Sequence, residues 1–205
     1  EVKVPMVDPQ CRVLISAPLA LEPATADEPY REGMQVLMLL QLWRLVETRL
    51  NESLRFRLGK TYRVSIGDSF EVSPPHASVP RRGTVSISFG CDPDDARELT
   101  KQVMAELDKI RDQGFEEREV DSVKEQDRRQ FEKSMRENGF WEATVAGLYF
   151  SRTFPASGRD IAKAVNNWLL MYSKTMRNLS PESARALLLR LLPPGGVHTT
   201  IVMVP

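Results

Sequence analysis

Two side chains in this 205-residue sequence have the type and spacing to act on a bound ligand: Arg55 and, seven residues later, Tyr62. A guanidinium carries five N–H donors in a planar fork that matches carbonyl and carboxylate oxygens, and a phenol places one donor on a rigid ring. Between them the run Leu54-Arg55-Phe56-Arg57-Leu58-Gly59-Lys60-Thr61-Tyr62 passes from a helical apolar pattern to an alternating one. Two readings fit this junction. In one, a cation in the last helical turn and a phenol at a strand mouth face one edge and grip an extended ligand. In the other, Arg55 caps the terminal carbonyls of the helix and Tyr62 packs half into the core.

Other chemistries find little support. The two histidines, His76 and His198, have no acid at ligand spacing, and neither H-E-x-x-H nor H-x-x-E-H occurs, so no metal site is expected in this chain. Gly59-Lys60-Thr61 resembles the tail of a phosphate-binding loop, but Leu54 stands where the first glycine belongs and a strand pattern follows. No G-x-S-x-G elbow is present. Cys91 precedes a helix start, a setting that lowers a thiol pKa; with no base placed beside it, a buried structural cysteine is the alternative. Cys11 and Cys91, far apart at the edges of two strand patterns, make a poor disulfide framework and fit a reducing compartment.

The elements that must position Arg55 and Tyr62 are legible on both sides. From Met34 to Leu58, the residues Leu39, Trp43, Val46, Leu50 and Leu54 form the stripe of a core-facing helix, which Gly59 ends as a left-handed cap. Tyr62, Val64 and Ile66 then alternate with polar residues as a half-buried strand. Upstream, residues 1 to 8 are an edge strand at most, Arg12 to Ala17 an inner strand, and Pro18 to Pro29 a loop. Downstream, residues 69 to 83 form a proline-rich connection ending in an Arg81-Arg82-Gly83 turn, and Thr84 to Phe89 alternates again, which implies an antiparallel pair.

The rest reads as helices and one strand. Asp92-Pro93 is an N-cap followed by proline at the first helical position; Leu99, Val103, Leu107 and Ile110 are its buried face and Gly114 its end. Glu116 to Glu137 is a charged, largely solvated surface helix with a seam of Val120, Val123, Phe131 and Met135. Asn138-Gly139 interrupts it before a helix from Phe140 to Phe154. Another stripe runs through Ile161, Val165, Trp168, Tyr172 and Met176. Ser180-Pro181-Glu182 starts a last helix, Pro193-Pro194-Gly195-Gly196 stops it, and His198 to Val204 closes the chain as a strand. The order predicts an α+β domain with a mostly antiparallel sheet of four to six strands and helices packed on one face.

Composition limits the partners. The 28 basic and 28 acidic residues balance, so no sequence-wide field favours nucleic acid or an anionic membrane. No apolar run approaches the ~20 residues of a membrane span, and no secretory signal pattern opens the chain. The first residue is Glu1 rather than methionine, which fits a fragment of a larger protein.

The order and spacing of Thr48-Arg49-Leu50, Leu54-Arg55, Leu58-Gly59 and Tyr62 resemble the C-terminal halves of the insulinase (pitrilysin) family of inverzincin zinc metallopeptidases. Val85 to Cys91 followed by Asp92-Pro93, Phe131-Glu132, and Asn138-Gly139-Phe140-Trp141 extend the resemblance from about Asp8 to Val204. Leu-Arg-Phe leading into a glycine and a tyrosine is similar to the PQQL-like zinc proteases of bacteria and plants. The resemblance implies a half-domain of the LuxS-like metallohydrolase fold spanning 1–205, one piece of a multidomain protease whose two halves enclose a chamber for unfolded peptides. It implies no cofactor in this chain, with zinc and the general-base glutamate in an N-terminal half that the chain lacks and must work with, in the same or a separate chain. It also implies that Arg55 and Tyr62 contact the peptide substrate near the scissile bond, Tyr62 beside the developing oxyanion. Phe56 stands where many members carry an acid. A catalytically silent scaffold or interaction module of the same fold is the alternative. Cleavage preference, organelle and oligomeric state stay open.

Overall fold

A computed structural model describes residues 11–23, 25, 31–58, 63–71, 79–150 and 160–203. The edge strand expected at residues 1 to 8, the cap at Gly59, Tyr62 and His76 lie outside the described residues. The chain runs β1 (Cys11–Leu21), α1 (Arg31–Leu58), β2 (Val64–Phe70), β3 (Arg81–Cys91), α2 (Ala96–Gln113), α3 (Glu117–Ser134), α4 (Asn138–Phe150), α5 (Ile161–Asn178), α6 (Pro181–Leu191) and β4 (Thr199–Met203). The four strands form one antiparallel sheet in the order β2-β3-β1-β4. Helices pack on one face of it, so the α+β architecture expected from the element order is the one observed.

The alternation read in the sequence is the alternation of burial. Val13, Ile15, Leu19 and Leu21 of β1, Val64 of β2, and Val85, Ile87 and Phe89 of β3 all enter one core with the stripes of α1 and α2. Leu39, Trp43, Val46, Leu50 and Leu54 of α1 are all buried in that core, as are Leu99, Val103, Leu107 and Ile110 of α2. Each such side chain contributes roughly 1.5–3 kcal/mol of transfer free energy, an upper figure because unfolded chains already bury part of this surface. The opposite face is open to solvent: Arg12, Ser65, Thr84 and Gly90 are exposed there, as are Ile201 and Met203 of β4, and the hydroxyls of Ser16 and Ser86 hydrogen-bond at 2.9 Å.

Three boundaries differ from expectation. β1 continues through Pro18 to Leu21 instead of becoming a loop, because β3 pairs with it as far as Leu21, whereas β4 pairs with it only as far as Ser16. Beyond that point no described residue pairs with β1 on the β4 side, and a strand tolerates proline where one of its edges is unpaired. Arg81-Arg82-Gly83 is strand, not turn. Gly83 faces Phe70 across the ladder, and a Cβ there would lie 2.4 Å from the Phe70 ring and from the Ser69 carbonyl oxygen, so only glycine admits β2 this closely. Asp92-Pro93 forms a turn, not the first helical residues: the Asp92 carboxylate accepts from Asp94 N–H at 3.1 Å, and α2 starts at Ala96.

Helix ends otherwise follow the local chemistry. Gly114 closes α2 at φ 77°, with its N–H on the Ile110 carbonyl at 2.8 Å. Ser180 and Ser183 cap each other's backbone N–H groups at the start of α6. α4 and α5 carry a second, smaller apolar cluster around Leu148 and Ala164. It joins the main body through an aromatic group in which Phe131 stacks on Tyr172 at 4.2 Å and meets Phe140 edge-on at 5.8 Å.

Candidate functional site

α1 is apolar where it meets the sheet, and its polar residues use two other sides. Glu47 and Asn51, one turn apart, reach the outer edge of β2. An edge strand presents unpaired N–H and C=O groups, and here the helix supplies their partners. Asn51 accepts from Val64 N–H through Oδ1 and donates through Nδ2 to the Val64 carbonyl, both at 2.9 Å. Glu47 accepts from Ile66 N–H at 3.0 Å. The Asn51 amide thus bonds Val64 as a neighbouring strand residue would and ties the end of α1 to the beginning of β2.

The other polar side fixes α1 against the helical layer. Ser53 donates to Glu106 of α2 at 2.9 Å, and the same buried carboxylate takes Lys109 at 3.1 Å. Arg49 grips Glu119 of α3 with two parallel hydrogen bonds, the Nε one at 2.5 Å. Burial opposes ionisation of Glu119, but the Arg49 hydrogen bond and charge, with the Glu116 N–H, outweigh it and hold the carboxyl below its ordinary value. The Arg49 guanidinium is raised correspondingly, first by its hydrogen bond to Glu119. Five residues earlier on α1, Arg44 bonds the buried Asp127 of α3, which also accepts from the Tyr172 hydroxyl of α5. Burial first, and Asp127 second, push the Tyr172 phenol above its ordinary pKa. Asp127 thus joins α1, α3 and α5 from inside the helix expected to be a solvated face.

Of the two site residues read from the sequence, Arg55 lies in the last turn of α1, with its side chain outside the described residues, and Tyr62 is outside them altogether. Position 55 follows Asn51 by one helical turn, on the side of α1 from which Asn51 and Glu47 reach β2. Tyr62 stands two residues before Val64. The pair therefore brackets the short connection whose flanking residues, Asn51 and Val64, are bonded to each other. Sequence reasoning missed Asn51 and Glu47; the available signal was an acid and an amide at i, i+4 on a core helix that runs straight into a strand.

The remaining candidates fall elsewhere. His198 lies exposed beside an apolar hollow of about 200 Å³ under β1 and β3, lined by Ile15, Ile87, Met104 and Leu107 with Arg111 at its polar side. Arg111 is already engaged, donating to the Leu192 carbonyl at 2.8 Å and to Asp108. Cys11 and Cys91, distant in sequence, are partners across β1 and β3. Among the described residues no three His, Cys, Asp or Glu side chains gather as a metal-ligand set. No described helix is long and apolar enough to cross a membrane.

The family model described as the peptidase M16 inactive domain matches residues 1–126 of the chain. A curated relative, the zinc protease PQQL-like of Arabidopsis thaliana, is 26% identical over 206 residues, covering 100% of this chain and 21% of that protein. The chain thus spans about a fifth of the length of the curated relative it matches. Among solved structures, the periplasmic protease PqqL from Escherichia coli superposes with a TM-score of 0.65 at 15% identity, over 98% of this chain and 20% of that one. The peptidase M16 inactive domain from Pseudomonas fluorescens gives a TM-score of 0.58 at 19% identity, over 95% of this chain and 41% of that one. At these identities the structural likeness speaks for the fold.

Proposed function

Since the chain belongs to the peptidase M16 family as its inactive domain, we propose that it is the domain of a zinc endopeptidase that helps to enclose the chamber and holds extended peptide through Arg55 and Tyr62. The described residues provide no ligand set for zinc. The metal belongs, on this reading, to an N-terminal half with which residues 1–205 act as one C-terminal domain, and it supplies the activation of water there.

The observation that carries the proposal is the Asn51–Val64 clasp. A group that stabilises a transition state must be held in place before the reaction, because reorganising it during the reaction forfeits most of its effect. Arg55 sits one turn beyond Asn51 on α1, and Tyr62 precedes the clasped residue by two positions. Both ends of their connection are thereby tied to a rigid frame that extends through Arg49–Glu119 and Ser53–Glu106 to α3 and α2. From this frame the Arg55 fork binds backbone carbonyls of an extended peptide, and the Tyr62 hydroxyl donates a hydrogen bond to the oxyanion that develops on the scissile carbonyl. Neither group transfers a proton to or from the reacting atoms in this scheme.

Arg55→Lys in the whole protease tests the binding half of the proposal. The charge remains but the planar fork is lost, so both KM for a long peptide and kcat worsen while the melting temperature stays put. Unchanged kinetics would leave Arg55 as a cap for the end of α1 and favour the silent-scaffold reading.

A further inference from the structure

The register of β1 and β3 sets Cys11 directly opposite Cys91 on the terminal rung of their ladder. Both side chains point to the inner face, 1% and 5% exposed, in the same apolar cluster. Opposed residues of an antiparallel pair have Cα atoms about 4.5–5.5 Å apart, which lies within the ~4.4–6.8 Å that a disulfide spans. Among the described residues no third His, Cys, Asp or Glu joins them as a metal-ligand set, and two facing thiols can be oxidised to one disulfide.

We propose that Cys11 and Cys91 are a redox pair that closes into a cross-strand disulfide by exchange with a small disulfide such as glutathione disulfide. One cysteine, as thiolate, attacks a sulfur of glutathione disulfide, forming a mixed disulfide and releasing one glutathione thiolate. The second cysteine loses its proton, attacks the protein-side sulfur of that mixed disulfide and releases the second glutathione. Two protein thiols are oxidised by two electrons, one glutathione disulfide is reduced to two glutathiones, and the two cysteine protons pass to the released thiolates. Burial, then Cys11, pushes the Cys91 thiol up to about 12. The folded pair is therefore held as neutral thiols, and exchange is gated by opening of the terminal rung.

The position gives closure a structural consequence. The next inward-facing rung joins Val13, Phe89 and Val64, and Val64 is the residue that Asn51 holds. A disulfide at Cys11–Cys91 braces the end of the sheet from which β2 is suspended. The proposal stands on strand register alone and is independent of any peptidase role.

The test equilibrates the whole native protein with graded mixtures of reduced and oxidised glutathione, quenches with acid, alkylates free thiols and maps peptides by mass. The expected product is the Cys11 peptide linked to the Cys91 peptide, rising with the oxidised fraction and reversed by dithiothreitol. Its formation should raise the melting temperature by roughly 5–10 °C. Cys11→Ser should remove both the linked peptide and the shift. Full alkylation of both cysteines at every ratio, including after unfolding and refolding in the same mixtures, would overturn the proposal. So would cysteines found joined only to glutathione or to other chains.

Discussion

Asn51 meets both backbone polar groups of Val64, each at 2.9 Å, and does so from a position in α1 thirteen residues earlier in the chain. Val64 is fully buried, so water has no access to replace a lost partner. Asn51→Ala should therefore cost about 2–4 kcal/mol, two unsatisfied groups at ~1–2 kcal/mol each, measured by urea denaturation. Asn51→Asp keeps the acceptor but sets a carboxylate oxygen against the Val64 and Glu47 carbonyls to which the amide donates, so it should destabilise as well. In the whole protease Asn51→Ala should also lower kcat in protein that remains folded.

Leu50, 0% exposed in the middle of α1, tests the packing of the helix against the sheet. Leu50→Ala should destabilise by about 2–5 kcal/mol. Chemical denaturation is the measurement, and a loss below about 1 kcal/mol, the range of surface substitutions, would contradict the helix register.

The Asp127 junction should behave as a unit. Tyr172→Phe removes one donor and should cost about 1–2 kcal/mol, whereas Asp127→Ala strips both Arg44 and Tyr172 of their shared acceptor. A double-mutant cycle should give a coupling of at least about 0.5 kcal/mol. Additive losses would show that Arg44, Asp127 and Tyr172 act separately.

Stability should fall at both ends of the pH range, for opposite reasons. Glu119 has a depressed folded pKa, so its contribution is complete above the unfolded value of about 4.3 and is lost as pH falls through that value and below. Glu119→Gln should flatten this acid limb. Cys91 is raised to about 12, so the unfolded thiol ionises first, near ~8.5. Its contribution is complete below that pH and lost as pH rises towards 12. Under reducing conditions Cys91→Ala should shallow the alkaline slope, which one thiol can steepen by at most about 1.4 kcal/mol per pH unit.

What the sequence made legible follows from periodicity, and what it hid follows from topology. Leu39 to Leu54 and Val85 to Phe89 declare their buried faces because one side of each element repeats. Pro18 and Arg81-Arg82-Gly83 read as loop and turn because local propensity cannot show that β4 stops at Ser16 or that Phe70 covers Gly83. Asp127 was hidden in a run of charges most of whose other members face solvent. Cys11 and Cys91 looked unrelated because their meeting depends on strand register. The same limit governs the site: Arg55 and Tyr62 stood out by type, but Asn51, the residue that ties their supports together, reads as an ordinary helical amide until β2 is beside it.

Steady-state kinetics of Tyr62→Phe in the whole protease, with the melting temperature of the same variant, tests the proposed role of this domain most directly. If the hydroxyl donates to the oxyanion, turnover should drop by about 10²–10³, with peptide affinity and melting temperature nearly unchanged. Normal turnover accompanied by a lowered melting temperature would contradict the account and leave Tyr62 as a packing residue.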